Sequence, residues 1–378
     1  MRVDSFSYDR RAGWSCPSFP DVDSESTLVL VFGAPSFFGE PSAIEALTKA
    51  YPRATVAGCS SAGEIHGTEI LDDSLSVAVV RFDKTQLRMT SVSVDGAIGS
   101  FDAGRQIASS LADPGLRAIF ILSDGISVNG SELLRGVHAI TSRKVIVTGG
   151  LAGDGSRFLQ TWVIVGGLPT GRAVVGVGLY GDALEIGHGS RGGWDVFGPE
   201  RRVTRSKGNV LYELDGSPAL ARYKTYLGDR ASGLPATALL FPLALRDRAN
   251  KGKLLLRAIL GVDEEEQSMT FAGSVPEGSI VQLMRANLDR LIEGAAEAGR
   301  DVGRVSRESV SVAISCVGRR LVLGERAEEE VEVAAEALPR GTKLVGFYSY
   351  GEICPFARGE PSDLHNQTMT ITTLSEHD

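Results

Sequence analysis

Short apolar runs alternate along this chain with stretches whose apolar residues recur at helical spacing, and one order of elements returns. Residues 27–32 (TLVLVF) read as a buried strand, and residues 41–49 predict a helix with Pro41 in its first turn. A strand at 54–57 then runs into Gly58-Cys59-Ser60-Ser61-Ala62-Gly63-Glu64-Ile65. Near the end, a strand at 309–316, a long helix at 326–337 and a strand at 343–346 lead into Gly346-Phe347-Tyr348-Ser349-Tyr350-Gly351-Glu352-Ile353. Both octets fit G-x-x-S-x-G-E-I, and both follow a Pro-Arg-x-Thr lead, Pro52 to Thr55 and Pro339 to Thr342. The matched context reads as an internal duplication of a strand–helix–strand–glycine-turn unit. A weaker third version has a strand at 118–122, a helix at 131–140 and a strand at 145–148, ending in Gly149-Gly150-Leu151-Ala152-Gly153-Asp154-Gly155.

The remaining pattern fills in around these units. Alternation over 74–82 and 87–94 predicts a hairpin, 102–111 a helix, and 162–165, 173–179 and 184–188 strands. Gly189 to Trp194 reads as a flexible loop, and Lys207-Gly208-Asn209 as a hairpin turn between strands 201–206 and 210–214. Ser217 and Pro218 suit the N-cap and first position of a helix reaching about Tyr226. Strands follow at 238–243, 254–262 and 279–284, then a helix at 286–298, a Gly318-Arg319-Arg320 loop and a closing strand at 369–374. The expected fold is α/β or α+β: two related domains with mixed, largely antiparallel sheets and flanking helices. The domains are 26–215 and 216–378, after a loosely held lead-in at 1–25.

Two glycines give each octet conformational freedom, the serine between them can bond a local amide, and the glutamate is its one charge. A tight self-capped turn explains this pattern; so do two turns facing one another across a pseudo-two-fold and lining a shared pocket.

Composition narrows the function classes. The 378 residues carry a net charge of −8, against a nucleic-acid surface, and are 43% hydrophobic and 23% charged, as in ordinary soluble proteins. No apolar run reaches membrane-span length and the N-terminus lacks a signal-peptide core, so a cytoplasmic location is expected. Cys16, Cys59, Cys316 and Cys354 form no CxxC and read as free thiols, and the five histidines show no metal-ligand spacing. Ser61 and Ser349 lack the first glycine of a nucleophile elbow, and no phosphate-binding loop is present. The expectation is no catalysis and no cofactor. A hydrolase using Cys59 or Ser61 is the outside alternative.

The GCSSAGEI and GGLAGDG turns, with RVTRSKGNVLYELDGSPAL at 202–220, resemble the N-terminal domain of the FIST (F-box and intracellular signal transduction) family. The segments at 258–286, 315–324 (SCVGRRLVLG), 346–355 (GFYSYGEICP) and 364–370 (LHNQTMT) are similar to its C-terminal domain. The resemblance implies a stand-alone sensory module that binds a small, amino-acid-like ligand and signals through a partner such as a histidine kinase. It also implies an alternative, a non-covalent haem b that responds to nitric oxide, for which His188 and His365 are the candidate ligands. The candidate ligand-binding residues are Ser60, Ser61, Glu64, Asp154, Arg319, Ser349, Tyr350, Glu352 and Asn366. Arg319 as a clamp for a carboxylate, with Glu64 or Glu352 receiving an ammonium group, would hold an amino acid. An exposed Arg319 and glutamates that pair with their surroundings are the competing reading.

Overall fold

The computed structural model describes residues 1–94, 99–246, 254–303, 305 and 308–377. Three units of one topology follow one another. The first runs β1 (Arg2–Asp9), β2 (Gly13–Trp14), β3 (Thr27–Gly33), α1 (Ser42–Ala50) and β4 (Thr55–Ser60). It closes with the hairpin β5 (Glu64–His66) and β6 (Glu69–Leu71), then β7 (Ser74–Arg81). The second runs β8 (Gln86–Ser93), α2 (Ser100–Leu111), β9 (Leu116–Ser123), α3 (Gly130–His138) and β10 (Ile146–Leu151). Its hairpin is β11 (Val163–Val165) and β12 (Leu168–Thr170), and its last strand β13 (Ala173–Tyr180).

The third begins with β14 (Leu184–Arg191) and is interrupted by an inserted body at 194–286. That body comprises β15 (Trp194–Lys207), β16 (Val210–Leu214), β17 (Ser217–Pro218), α4 (Ala219–Leu227), β18 (Leu243–Arg246) and β19 (Leu254–Arg257). It ends with β20 (Ile259–Asp263), β21 (Ser268–Phe271) and β22 (Ile280–Ala286), all in one sheet around its own core. The unit resumes with α5 (Leu288–Asp301), β23 (Ser309–Cys316), α6 (Val317–Leu323), α7 (Ala327–Ala337) and β24 (Lys343–Ser349). The hairpin β25 (Gly351–Pro355) and β26 (Ser362–His365) and the strand β27 (Met369–Glu376) complete it.

Each unit builds four strands in one order: β4-β3-β7-β1, β10-β9-β13-β8 and β24-β23-β27-β14. The first two in each are parallel and the rest antiparallel. Each hairpin leaves its own unit: β5–β6 joins β24, β11–β12 joins β4, and β25–β26 joins β10. The exchange is cyclic, so the relation among the units is a pseudo-three-fold, where the two octets alone suggested a pseudo-two-fold. The weaker third turn is a full member of the set.

The continuous apolar runs follow from this arrangement, because both faces of the central strands are covered. Leu28, Leu30 and Phe32 of β3 point inward, as do Ala118, Phe120 and Leu122 of β9 and Val310, Val312 and Ile314 of β23. All nine belong to one core shared by the three sheets, where Phe32 stacks on Phe347 with centroids 4.8 Å apart. The intervening residues face outward: Val29 and Val31 belong to the cluster around α1, and Ile119 and Ile121 to that under α2 and α3.

Six sequence expectations need correction. β7 and β8 form no hairpin but lie in different sheets, and Ala236–Leu240 is a 3-10 helix, with the strand β18 starting only at Leu243. Residues 1–25 are built in: β1 pairs with β7 over its whole length, and Trp14 and Phe19 pack on Phe6. Gly189 lies inside β14, where a Cβ would come 2.1 Å from the Ala298 carbonyl oxygen, so glycine here admits α5 rather than loosening a loop. Ser217 pairs in β17 and caps nothing; α4 starts at Ala219 without a side-chain cap. Arg319 and Arg320 sit on α6 rather than in a loop.

Candidate functional site

The three strand-end turns meet. The Ala62 amide donates to the Tyr348 carbonyl (2.8 Å), the Gly153 amide to Ser60 (3.0 Å) and the Tyr350 amide to Leu151 (3.1 Å). These bonds join equivalent positions in a closed ring, because each hairpin must pass the neighbouring strand end to reach the next sheet. In the first turn the Ser61 hydroxyl donates to the Gly63 carbonyl and accepts from the Gly63 amide (2.8 Å), the local capping that the G-x-x-S-x-G spacing implies. Gly63 has φ +137°, and a Cβ there would lie 2.3 Å from the Arg320 guanidinium. The φ favours glycine, and any side chain would also have to displace the Arg320 guanidinium.

The two octet glutamates hold equivalent places. Glu64 accepts from the Ser74 amide (3.1 Å) and hydroxyl (2.7 Å), at the start of β7. Glu352 accepts from the Thr368 amide (3.2 Å) and hydroxyl (2.8 Å), next to β27, and from the Ser349 hydroxyl (2.9 Å). Burial pushes both carboxyls up to about 8, against the pull of those hydrogen bonds.

Two cavities open beside the ring at equivalent positions. One, of about 420 Å³, lies between residues 34–36, the first turn and the loop after the second turn. Glu64, Asp72, Asp73 and Asp154 bring carboxylates to it, and Arg157 and Arg320 bring guanidiniums. Asp72 takes Arg320 bidentately at 2.8 and 2.7 Å, and Asp73 takes Arg10 at 3.0 Å. Asp154 is spent on the loop, accepting from the amides of Phe158, Leu159 and Gln160 and from the Tyr350 hydroxyl. Arg157 donates through Nε to the Asp154 carbonyl (2.9 Å), and its side chain is exposed. Its terminal nitrogens carry no bond to a side chain of the described residues.

The second cavity, of about 260 Å³, lies between residues 125–129, the second turn and Tyr350 of the third, and the inserted body forms its far wall. The third equivalent place is filled: the Arg320 guanidinium lies 5.5 Å from the Tyr348 ring and donates to the Ala62 carbonyl (2.6 Å).

The sequence-predicted residues therefore divide. Ser61, Glu64 and Asp154 line the first cavity and Tyr350 the second. Ser60 accepts from the Trp162 amide (3.1 Å) inside the fold, and Ser349 is held by Glu352. Arg319 is fully buried: it pairs with buried Glu330 at 2.6 Å and donates to the carbonyls of Gly192 (2.6 Å) and Leu291 (2.8 Å). It is neither an exposed arginine nor one lining either cavity beside the ring; it ties α6 to α7, to α5 and to the link between β14 and the inserted body. Asn366 is fully buried, with its Nδ2 3.5 Å from the Tyr350 carbonyl and its Oδ1 unpaired.

His365 is wedged between the Cys354 carbonyl (2.9 Å) and the Ser190 hydroxyl (3.4 Å), and burial lowers the basicity of His188. The cavity beside His365 measures about 210 Å³. That volume is too small to enclose a macrocycle the size of haem, and both ring nitrogens of His365 are already engaged, so these residues do not fit the group. Cys59 is fully buried and burial holds its thiol protonated, which disfavours a thiolate nucleophile there. No group of metal-ligating side chains forms among the described residues. Among these residues no helix is long and apolar enough to cross a membrane.

Sequence reasoning missed Arg157, Arg320 and the Asp72–Asp73 pair. The adjacent acids at the end of the first hairpin, and the cation three residues beyond Asp154, were the available signals.

Comparison with known families places this architecture in one of them. The FIST N domain matches residues 27–217 and the FIST C domain residues 219–355. The chain belongs to the FIST family, whose domains are sensors in signal transduction. A search of curated proteins returned no match. Among solved structures, cyanuric acid hydrolase from A. caulinodans is similar at 7% identity and a TM-score of 0.34, covering 93% of this chain and 90% of that one. A likeness at that level carries no argument about fold or chemistry.

Proposed function

We propose that this chain is a sensory protein that binds a small amino-acid-like ligand in the charged cavity and signals through a protein partner such as a histidine kinase. The observation that supports the reading is that Glu64 and Arg157 line one cavity of about 420 Å³. Asp72 and Asp73 are neutralised by arginines and Asp154 is spent on three loop amides. Glu64 accepts from the Ser74 amide and hydroxyl and forms no ion pair among the described residues, so it is the carboxyl that receives an ammonium group. Arg157 presents its guanidinium to a carboxylate, the role the sequence reading gave Arg319. The cavity draws on both halves of the chain, since Arg320 reaches it from the C-terminal segment. A ligand there closes on the ring of turns that joins all three sheets, which gives binding a route to the rest of the fold.

The test is a thermal-shift screen of amino acids and simple carboxylates, followed by calorimetry on wild type, Arg157→Ala and Glu64→Gln. An amino acid should stabilise the wild type, Arg157→Ala should weaken every carboxylate ligand, and Glu64→Gln should weaken amino acids more than plain carboxylates. No stabilisation by any amino acid, or wild-type affinity in both variants, would overturn the reading.

A further inference from the structure

We propose that the second cavity is a separate site for a small, uncharged aromatic ligand of phenol or indole size. It stands apart from the charged cavity and from the amino-acid reading. Three observations carry it.

The first is chemical. No residue lining the cavity is an acid or a base; the polar groups are the hydroxyls of Ser100, Ser127 and Tyr350 and the amides of Asn129 and Asn209. A charged ligand would lose its hydration without gaining a partner, whereas a neutral ring with one hydroxyl or N–H group would not.

The second is local strain. Phe158 has φ +52°, a region that a bulky residue enters only when its surroundings force it there. Asp154 does the forcing, through the amides of Phe158, Leu159 and Gln160. The result is a Phe158 ring stacked on Tyr350 with centroids 4.5 Å apart and planes 16° from parallel, forming one wall of the cavity while 39% exposed. A folded chain gains little by holding a half-exposed aromatic ring in a strained backbone. A ring-binding wall accounts for it, since offset stacking on such a pair is worth more than the area it buries.

The third is position. The opposite wall comes from the inserted body, through Asn209, Leu260, Phe271 and Ala272. The cavity therefore lies on the seam between the insertion and the three-sheet core. Elsewhere the seam is held by an apolar cluster, Trp194, Leu256 and Met284 against Leu291, Leu323 and Ala327. Polar contacts also hold it, such as the Arg257 guanidinium on the Leu364 carbonyl (3.0 Å) and the Trp194 indole on the Gln367 carbonyl (2.8 Å). A ring bound there touches both bodies.

The probes are indole, phenol and benzoate, titrated calorimetrically into wild type, Phe158→Asn and Ala272→Phe. Asparagine tolerates positive φ, so Phe158→Asn removes the ring while keeping the loop. Phenylalanine at 272 fills the cavity from the other wall. Melting temperatures of the free variants establish that each is folded. Indole or phenol should bind the wild type saturably, benzoate should not, and each folded variant should bind about threefold to tenfold more weakly, the loss of roughly one stacking contact. The proposal is overturned if neither neutral ring binds the wild type, if benzoate binds as well as they do, or if a folded Ala272→Phe binds indole like wild type.

Discussion

The two cavities beside the ring of turns occupy equivalent places in two units of one topology, yet one is lined by charges and the other by none. The difference traces to three local changes. The first turn ends in Glu64, which draws an acid–base environment around it; the second ends in Asp154 and Gly155, whose loop carries Arg157 toward one cavity and Phe158 toward the other. The third place is closed because α6 replaces a loop and lays Arg320 over Tyr348. Duplication supplied three copies of one scaffold, and single residues at the strand ends gave each copy a different chemistry. Segment 154–158 is common to both open sites, so a ligand in either meets the same loop.

The largest effect should come from the residue beside the filled place, on the same helix α6. Arg319 and Glu330 form a fully buried pair, and removing one partner strands the other charge, at a cost of about 3–5 kcal/mol. Arg319→Ala should therefore lower the melting temperature steeply. A folded, stable Arg319→Ala that had lost only ligand binding would restore Arg319 as a clamp and break the division between open and filled sites.

Next comes Gly63→Ala, which meets both an unfavourable φ and the Arg320 side chain. About 1–3 kcal/mol of stability should be lost by denaturant titration, along with ligand affinity at the charged cavity. A variant as stable as wild type would show that the first turn is looser than its hydrogen bonds imply.

Arg157→Ala should be nearly silent in stability, because the side chain is exposed, but should cost a carboxylate ligand about tenfold to a hundredfold in affinity. Aromatic probes in the second cavity should bind as before, which separates the two sites by calorimetry.

The last contrast is in pH. Unfolded, Glu64 and Glu352 ionise near the ordinary 4.5; folded, burial holds both protonated up to about 8. Between those values the unfolded chain has released protons that the folded chain keeps. Their contribution to stability therefore falls as pH rises from about 4.5 through about 8 and is level above that. The melting temperature of Glu64→Gln, Glu352→Gln should be flatter than wild type across this window. Equal slopes would show that these carboxyls do not titrate in it.

Much of the fold was legible because strands buried on both faces leave continuous apolar runs. The bounds of β23 and the course of α7 follow from pattern alone. The hairpin exchange was not legible, since β5 and β25 are too short to announce which strand they join. Residues 1–25 were misread because Val3, Phe6 and Tyr8 alternate too sparsely among polar neighbours to stand out as a strand. Within the site, the octets pointed to Ser61 and Glu64 because their chemistry lies inside the repeat. Arg157 and Phe158 were missed because the loop that carries them has no counterpart in the other two turns. Arg319 and Arg320, adjacent in sequence, part company only once α6 forms: one turns into the fold and the other over Tyr348.

The central claim is that Glu64, protonated in the free protein, ionises to meet the ammonium group of a ligand in the charged cavity. The direct measurement is calorimetric titration of the stabilising amino acid in buffers of different ionisation enthalpy. Proton release of up to one per ligand at about pH 7, fading as pH passes through about 8 and absent in Glu64→Gln, is the expected result. Binding at about pH 7 with no proton released, or release that persists unchanged in Glu64→Gln, would contradict it.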